Sequence, residues 1–230
     1  MKIKELTLLT HKLLQEKIFY TKTLGFELVN EDLNSFSVKV GWSILTFQES
    51  NDQHNYHYCF LIPSNNLNEA LHWVEKKWNI IEMEDSQKTV HFDTWNADSF
   101  YFHDASGNIA EFIVRYDMNN PGDAEFDVES ILCVNEIGLP TTDIQQLSFV
   151  LEDNLGIKFW KGDMNRFGTV GSQEGLFLLP NYNLKKTWFP TELNIQPDPL
   201  NITIEINENT IELQYLNGEI EILSDKLIKN

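Results

Sequence analysis

The strongest constraint on what this chain can fold into is that its pattern of strands and helices repeats. Glu5-Leu-Thr-Leu-Leu-Thr10 alternates as a strand, and residues 11–23 read as a helix ending at Leu24-Gly25, where glycine supplies the C-terminal cap. Three short strands separated by turn residues follow, at 26–29, 35–40 and 43–47. The order is βαβββ. It recurs from Glu136, where Asp143 caps a helix whose apolar positions are Ile144, Leu147 and Leu151. That helix ends at Leu155-Gly156, the same offset from Glu136 that Leu24-Gly25 has from Glu5. Strands at 157–161, 167–171 and 175–179 complete this copy. Between the two lies another, with a strand at 56–62 and a helix capped by Asn65 or Asn66. Leu67, Ala70, Leu71, Val74 and Trp78 share that helix's apolar face, and strands at 80–83, 100–102 and 109–114 follow. Residues 117–129, which contain Asn119-Asn-Pro-Gly122 and several acids, read as a linker. Three strands without a helix, at 201–206, 210–215 and 219–223, read as an eroded fourth copy.

One stretch of the middle copy carries chemistry. Tyr101 to Phe112 reads as a strand, a tight turn of Asp, Ser, Gly and Asn, and a second strand with an acid in an apolar run. Glu111 lies among Ile109, Ala110, Phe112, Ile113 and Val114. Either it sits on the solvent face of an edge strand, or it is buried and needs a cation or metal as partner. Composition narrows the partners. The net charge of −18, from 17 basic and 35 acidic residues, repels phosphate backbones and anionic lipid, which argues against nucleic-acid and membrane-surface roles. Cys59 and Cys133, in apolar strand-like runs, read as buried reduced thiols of a cytosolic protein. The start, Met1-Lys-Ile-Lys-Glu5, lacks a signal-peptide core, and no apolar run approaches the ~20 residues of a membrane helix. The expectation is a soluble, cytoplasmic protein.

Tandem βαβββ modules with Phe19-Tyr20 ahead of Leu24-Gly25-Phe26 resemble the vicinal oxygen chelate superfamily, which includes glyoxalase I, extradiol ring-cleaving dioxygenases and bleomycin-resistance proteins. Asp104-Ala-Ser-Gly-Asn-Ile-Ala-Glu111 resembles that group's Asp-Pro-Asp-Gly-Asn-x-x-Glu signature, with Ala105 in place of proline. The resemblance implies an α+β fold in which modules pair into curved, partly closed mixed sheets. It further implies that residues 1–116 form one such pair holding the metal site, that 117–129 are a linker, and that 130–230 carry the third module and C-terminal strands. In the superfamily the metal ligands come from the first and last strands of each module. Carried over, the first strands offer Glu5 and His57, and the last strands offer Thr46 and Glu111. Thr46 is a poor ligand, and a slip of one residue would put Leu45 there. The candidate ligand set is therefore Glu5, His57 and Glu111, and it suits a divalent Fe, Mn, Zn or Ni ion. Glu5 can equally be a solvated N-terminal residue, and His57 a core or near-surface histidine. Glu136 matches Glu5 in the third module, but residues 176–179 offer no second ligand, so the second half reads as metal-free.

The same resemblance implies that Tyr101 acts as an acid/base and His91 as its neighbour, although His91 is offset by one residue from the dioxygenase position. The alternatives are a strand aromatic for Tyr101, an exposed loop histidine for His91 and a core filler for Trp95, which otherwise walls the pocket with the residues up to Ser99. Ring-cleaving enzymes of this group use two His and one Glu, whereas here an acid replaces the first His. Glyoxalase-like enzymes use an acid-rich set of four. Three functions follow: a dioxygenase-like metalloenzyme acting on a small substrate with two neighbouring oxygens, a glyoxalase-type isomerase or lyase, or a non-catalytic small-molecule-binding protein. A monomer or a homodimer is compatible with modules that pair within or between chains.

Overall fold

In a computed structural model that describes residues 1–123 and 125–226, the repeat becomes three full modules and a remnant. The first comprises β1 (Lys2–Thr10), α1 (Leu13–Ile18), β2 (Leu28–Glu31), β3 (Ser35–Val40) and β4 (Ser43–Glu49). The second has β5 (His57–Leu61), α2 (Leu67–Glu75), β6 (Val90–Phe92), β7 (Ala97–His103) and β8 (Ile109–Arg115). The third has β9 (Cys133–Gly138), α3 (Ile144–Leu155), β10 (Phe159–Gly162), β11 (Phe167–Ser172) and β12 (Gly175–Pro180). The remnant is a meander of β13 (Leu200–Ile206), β14 (Asn209–Leu216) and β15 (Glu219–Lys226). Within each full module the first and last strands are parallel neighbours, as a helical crossover permits.

Glycine ends two of the helical segments as the sequence implies. The turns after α1 wind as a π-helix over Phe19–Leu24 and stop at Gly25, whose φ of +91° is left-handed. Gly156 closes α3 in the same way, and the Asp143 carboxylate accepts the Gln146 N–H at its start. The strand predicted at 80–83 is reduced to one bridge, Ile80 to Phe102, and the edge of the second module is β6 instead.

The modules do not pair as the sequence suggested. One curved sheet runs β15-β14-β13-β1-β4-β3-β2, and the other β10-β11-β12-β9-β5-β8-β7-β6. The first module therefore joins the remnant through β1 and β13, and the second joins the third through β5 and β9, both antiparallel. Burial explains the choice. Strand β1 alternates between buried and solvated, and its buried Ile3, Leu6 and Leu8 face Ile204, Ile202 and Leu200 of the similarly alternating β13. By contrast, β5 and β9 are buried along their whole length and need cover on both faces. Pairing β1 with β5 would mismatch these requirements.

The two sheets and the helices share one apolar core, which includes Leu6, Phe47, Phe60, Phe112, Ile144 and Phe177. Ser43 ties them together: its hydroxyl donates to the Ile3 carbonyl at 2.7 Å and accepts the Val134 N–H at 3.1 Å. Among the described residues no helix is long and apolar enough to cross a membrane.

Candidate metal and ligand site

The outward face of the eight-stranded sheet carries one rung of chemistry-bearing side chains. Tyr101 on β7 is registered against Glu111 on β8, Glu111 against Cys59 on β5, and Cys59 against Glu136 on β9. The hairpin that aligns Tyr101 with Glu111 is held by the signature turn. The Asp104 carboxylate accepts the N–H groups of Ser106, Gly107 and Asn108 at 2.9–3.0 Å, and the Asn108 amide oxygen accepts the Tyr56 N–H. The signature acid of the turn is thus spent on geometry, and the acid free to face the rung is Glu111.

His57 lies one pleat along β5 from Cys59, on the same face. Its Nε2 is 2.9 Å from Glu111 Oε2, and the Tyr101 hydroxyl donates to Glu111 Oε1 at 3.2 Å. Cys59, Glu111 and Glu136 each place a donor atom within 4.8 Å of the others, and all three are buried. Arg115, two pleats along β8 from Glu111, is also fully buried. It makes an ion pair with Glu136, donates from Nε to Asn135 at 3.0 Å, and lies 5.4 Å from the ring centres of both Trp95 and Trp160.

Four of these groups border a cavity of about 300 Å³. His57, Tyr101, Glu111 and Glu136 line it, with Phe92 and Trp95 on one side and Phe167 and Leu178 on another. Trp188 and Phe189, from the 181–199 connection, close over it. Trp188 packs edge-on to His57, at 5.0 Å between ring centres. A Cβ on Gly138 would lie 2.4 Å from that indole, so only glycine admits it there.

The electrostatics suit a cation. Burial pushes the Glu136 carboxyl up to about 8, against the pull of Arg115 and with help from the Glu111 charge. Burial, then the charges of Glu111 and Glu136, push the Cys59 thiol well above its ordinary range. Two carboxyl groups and an imidazole therefore meet in a low-dielectric pocket, with the Cys59 thiol beside the two acids and the Arg115 guanidinium paired to Glu136. A divalent ion bound here would favour the ionised carboxylates, and this donor set fits one.

The structure brings together three of the residues singled out from sequence: His57, Glu111 and Tyr101. Glu5 is not among them. It is exposed on the other sheet, registered against Ile44 and Thr203, and the acid that clusters with Glu111 is instead Glu136. The third module thus contributes an acid, Glu136, to this cluster. Thr46 hydrogen-bonds Ser37 at 2.8 Å on that other sheet. His91 is half-exposed and turned outward, with Nδ1 2.6 Å from Asp98 and Nε2 3.5 Å from Asp93. The offset of one residue along a period-two strand is the reason: Phe92 lines the cavity, and its neighbour faces away. Arg115 went unread, although its register with Glu111 (111, 113, 115) marked a cation on the same strand face.

No family model matches this chain, and no curated protein matches it. Among solved structures, a point mutant of glyoxalase I from Zea mays superposes with a TM-score of 0.56 at 9% identity, covering 96% of this chain and 93% of that one. A protein from Bacillus subtilis provisionally named a dioxygenase also gives a TM-score of 0.56, at 14% identity, covering 96% of this chain and 83% of that one. The fold is thus the glyoxalase-like fold, with paired βαβββ modules.

Proposed function

We propose that this chain is a metal-dependent enzyme that acts on a small substrate with two neighbouring oxygens, by isomerase or lyase chemistry of the glyoxalase type. The observation that carries the reading is the convergence of His57, Glu111 and Glu136, with Tyr101 hydrogen-bonded to Glu111, on one aromatic-walled cavity. His57, Glu111 and Glu136 would hold the ion, with Cys59 between the two acids. A bound divalent ion polarises a substrate oxygen and acidifies an attached water. Tyr101 is the candidate for moving a proton at the substrate oxygen, from a hydroxyl that Glu111 orients. Trp188 and Phe189 exclude water from the same space. The acid-rich donor set, with one His and two Glu, supports polarisation over the oxygen chemistry of ring-cleaving enzymes, whose pattern has a second histidine.

The test is elemental analysis of untagged protein, followed by assays on metal-loaded protein with the hemithioacetal of phenylglyoxal and mercaptoacetate by absorbance and with catechols on an oxygen electrode. Turnover of a hemithioacetal is the expected result, and oxygen uptake with catechols would replace this reading by the dioxygenase one. Glu111→Ala should lose both metal and turnover, while Tyr101→Phe should keep metal and lose about 10²–10⁴ in rate.

One observation favours a second reading, a non-catalytic binding protein: Arg115 already pairs with Glu136 and stands where a cation's charge is wanted. Arg115→Met separates the two. If ion and guanidinium compete for Glu136, the variant should bind divalent metal more tightly than the parent. If no metal binds either protein, the binding-protein reading holds.

A further inference from the structure

The mouth of the cavity carries charges that the metal reading does not use. Lys185, on the 181–199 connection, and Arg166, in the turn before β11, both line it. The chain has 35 acidic residues against 17 basic ones, yet neither of these side chains has a carboxylate partner in an ion pair among the described residues. The Lys185 ammonium donates to a neutral acceptor, the Thr187 carbonyl, at 2.6 Å. Asp163, the acid in Arg166's own turn, accepts the backbone N–H groups of Asn165 and Arg166 and meets the Arg166 charge only through space, without an ion-pair contact. Burial, and then the charge of Arg166, hold Lys185 below the ordinary lysine range. Two cations on one cavity repel, and an anion placed between them turns that repulsion into attraction.

The walls behind this pair are aromatic: Phe92, Trp95, Phe167, Trp188 and Phe189. The Trp188 indole N–H is buried without a partner, and since it can only donate, what completes it is an acceptor. A volume of about 300 Å³ stands at the lower end of small-molecule sites and suits a single-ring ligand.

We propose that the ligand of this cavity is a small aromatic oxyanion, a single ring bearing a carboxylate or phosphate, whose anionic group is held by Lys185 and Arg166 while the ring lies among the aromatic walls. The inference rests on reading the cavity as a substrate site and narrows that site's substrate class. It needs no particular ion at Glu111.

The test is calorimetric titration of the full-length chain, and of Lys185→Gln and Arg166→Gln, with benzoate, phenyl phosphate and neutral benzamide. Both substitutions fall on exposed or half-exposed positions, and circular dichroism checks that the fold is kept. Benzoate or phenyl phosphate should bind more tightly than benzamide, and the better of the two identifies the oxyanion. Either substitution should weaken that anion about ten- to hundredfold, as for a hydrogen bond to a charged group, and leave benzamide unchanged. Added salt should weaken the anion alone. The inference is overturned if benzamide binds as well as the anions, if neither substitution alters anion affinity, or if no ring compound binds. Metal content of the same samples reports separately on His57, Glu111 and Glu136, so a failure at the mouth is distinguishable from a failure of the metal reading.

Discussion

Glu16 is held in a place that favours its protonated form. Fully buried on α1, it accepts the Ser106 N–H at 2.7 Å through Oε1, while Oε2 has no partner besides the neighbouring Asp104. Burial and then the Asp104 charge push the Glu16 carboxyl well above its ordinary value of 4.5. Asp104 is the better-served anion, since it also accepts the Tyr58 hydroxyl and the Asn108 amide, each at 2.7 Å. A carboxyl whose folded value is raised stabilises the fold below its unfolded value, and that contribution is lost as pH rises through the folded value. Stability should therefore fall with pH above about 4.5 on account of this group, by at most about 1.4 kcal/mol per unit. Glu16→Gln keeps a neutral donor in the same place and removes the dependence. Urea midpoints at pH 5 and pH 8 should show the variant gaining on the parent at the higher pH; a constant difference would reject the assignment. At this scale the sequence was readable where one residue stood out against its neighbours, as Glu111 did in an apolar strand. It was not readable where two residues matched: Glu5 and Glu136 hold the same place in their modules, and only the pairing of strands chooses between them.

Elements show the same division. Turn chemistry marked the hairpin between β7 and β8, and glycine marked the ends of two helical segments, because those signals are local. The short edge strand β6 carries no comparable signal, and a shift of one residue there decides whether His91 or Phe92 meets the cavity. The 181–199 connection was silent in the sequence, yet it covers the site through Trp188 and Phe189, and Trp188 is seated there over Gly138. Gly138→Ala would put a methyl 2.4 Å and 2.7 Å from two indole carbons. The indole must move, at a cost of about 1–3 kcal/mol for an overpacked position. A lower urea midpoint and a red shift in tryptophan emission should accompany the change. Unchanged emission would mean that the connection does not seal the cavity through this contact.

At the scale of the whole molecule, the sheet pairing makes the two halves of the sequence interdependent. Each half of the chain supplies one strand at each central junction: β1 meets β13, and β5 meets β9. Cutting between them, in the segment that read as a linker, strips both junctions at once. A fragment of residues 1–123 would expose the apolar side of β1 and the fully buried β5 along unpaired edges. It would also lose Glu136, and with it one carboxylate of the cavity. The modules are legible from sequence because a repeat is a local signal copied along the chain. Their partners are not, because pairing depends on which faces each strand must bury once all the others are in place. The expectation is therefore that residues 1–123 alone show no cooperative unfolding and associate or aggregate, and that the same holds for the C-terminal remainder. Mixing the two in refolding buffer should restore a one-to-one complex with native circular dichroism and the cavity's ligand binding. A monomeric, cooperatively folded 1–123 would mean that β1 and β5 accept each other as partners, and the burial argument for the observed pairing would fail with it.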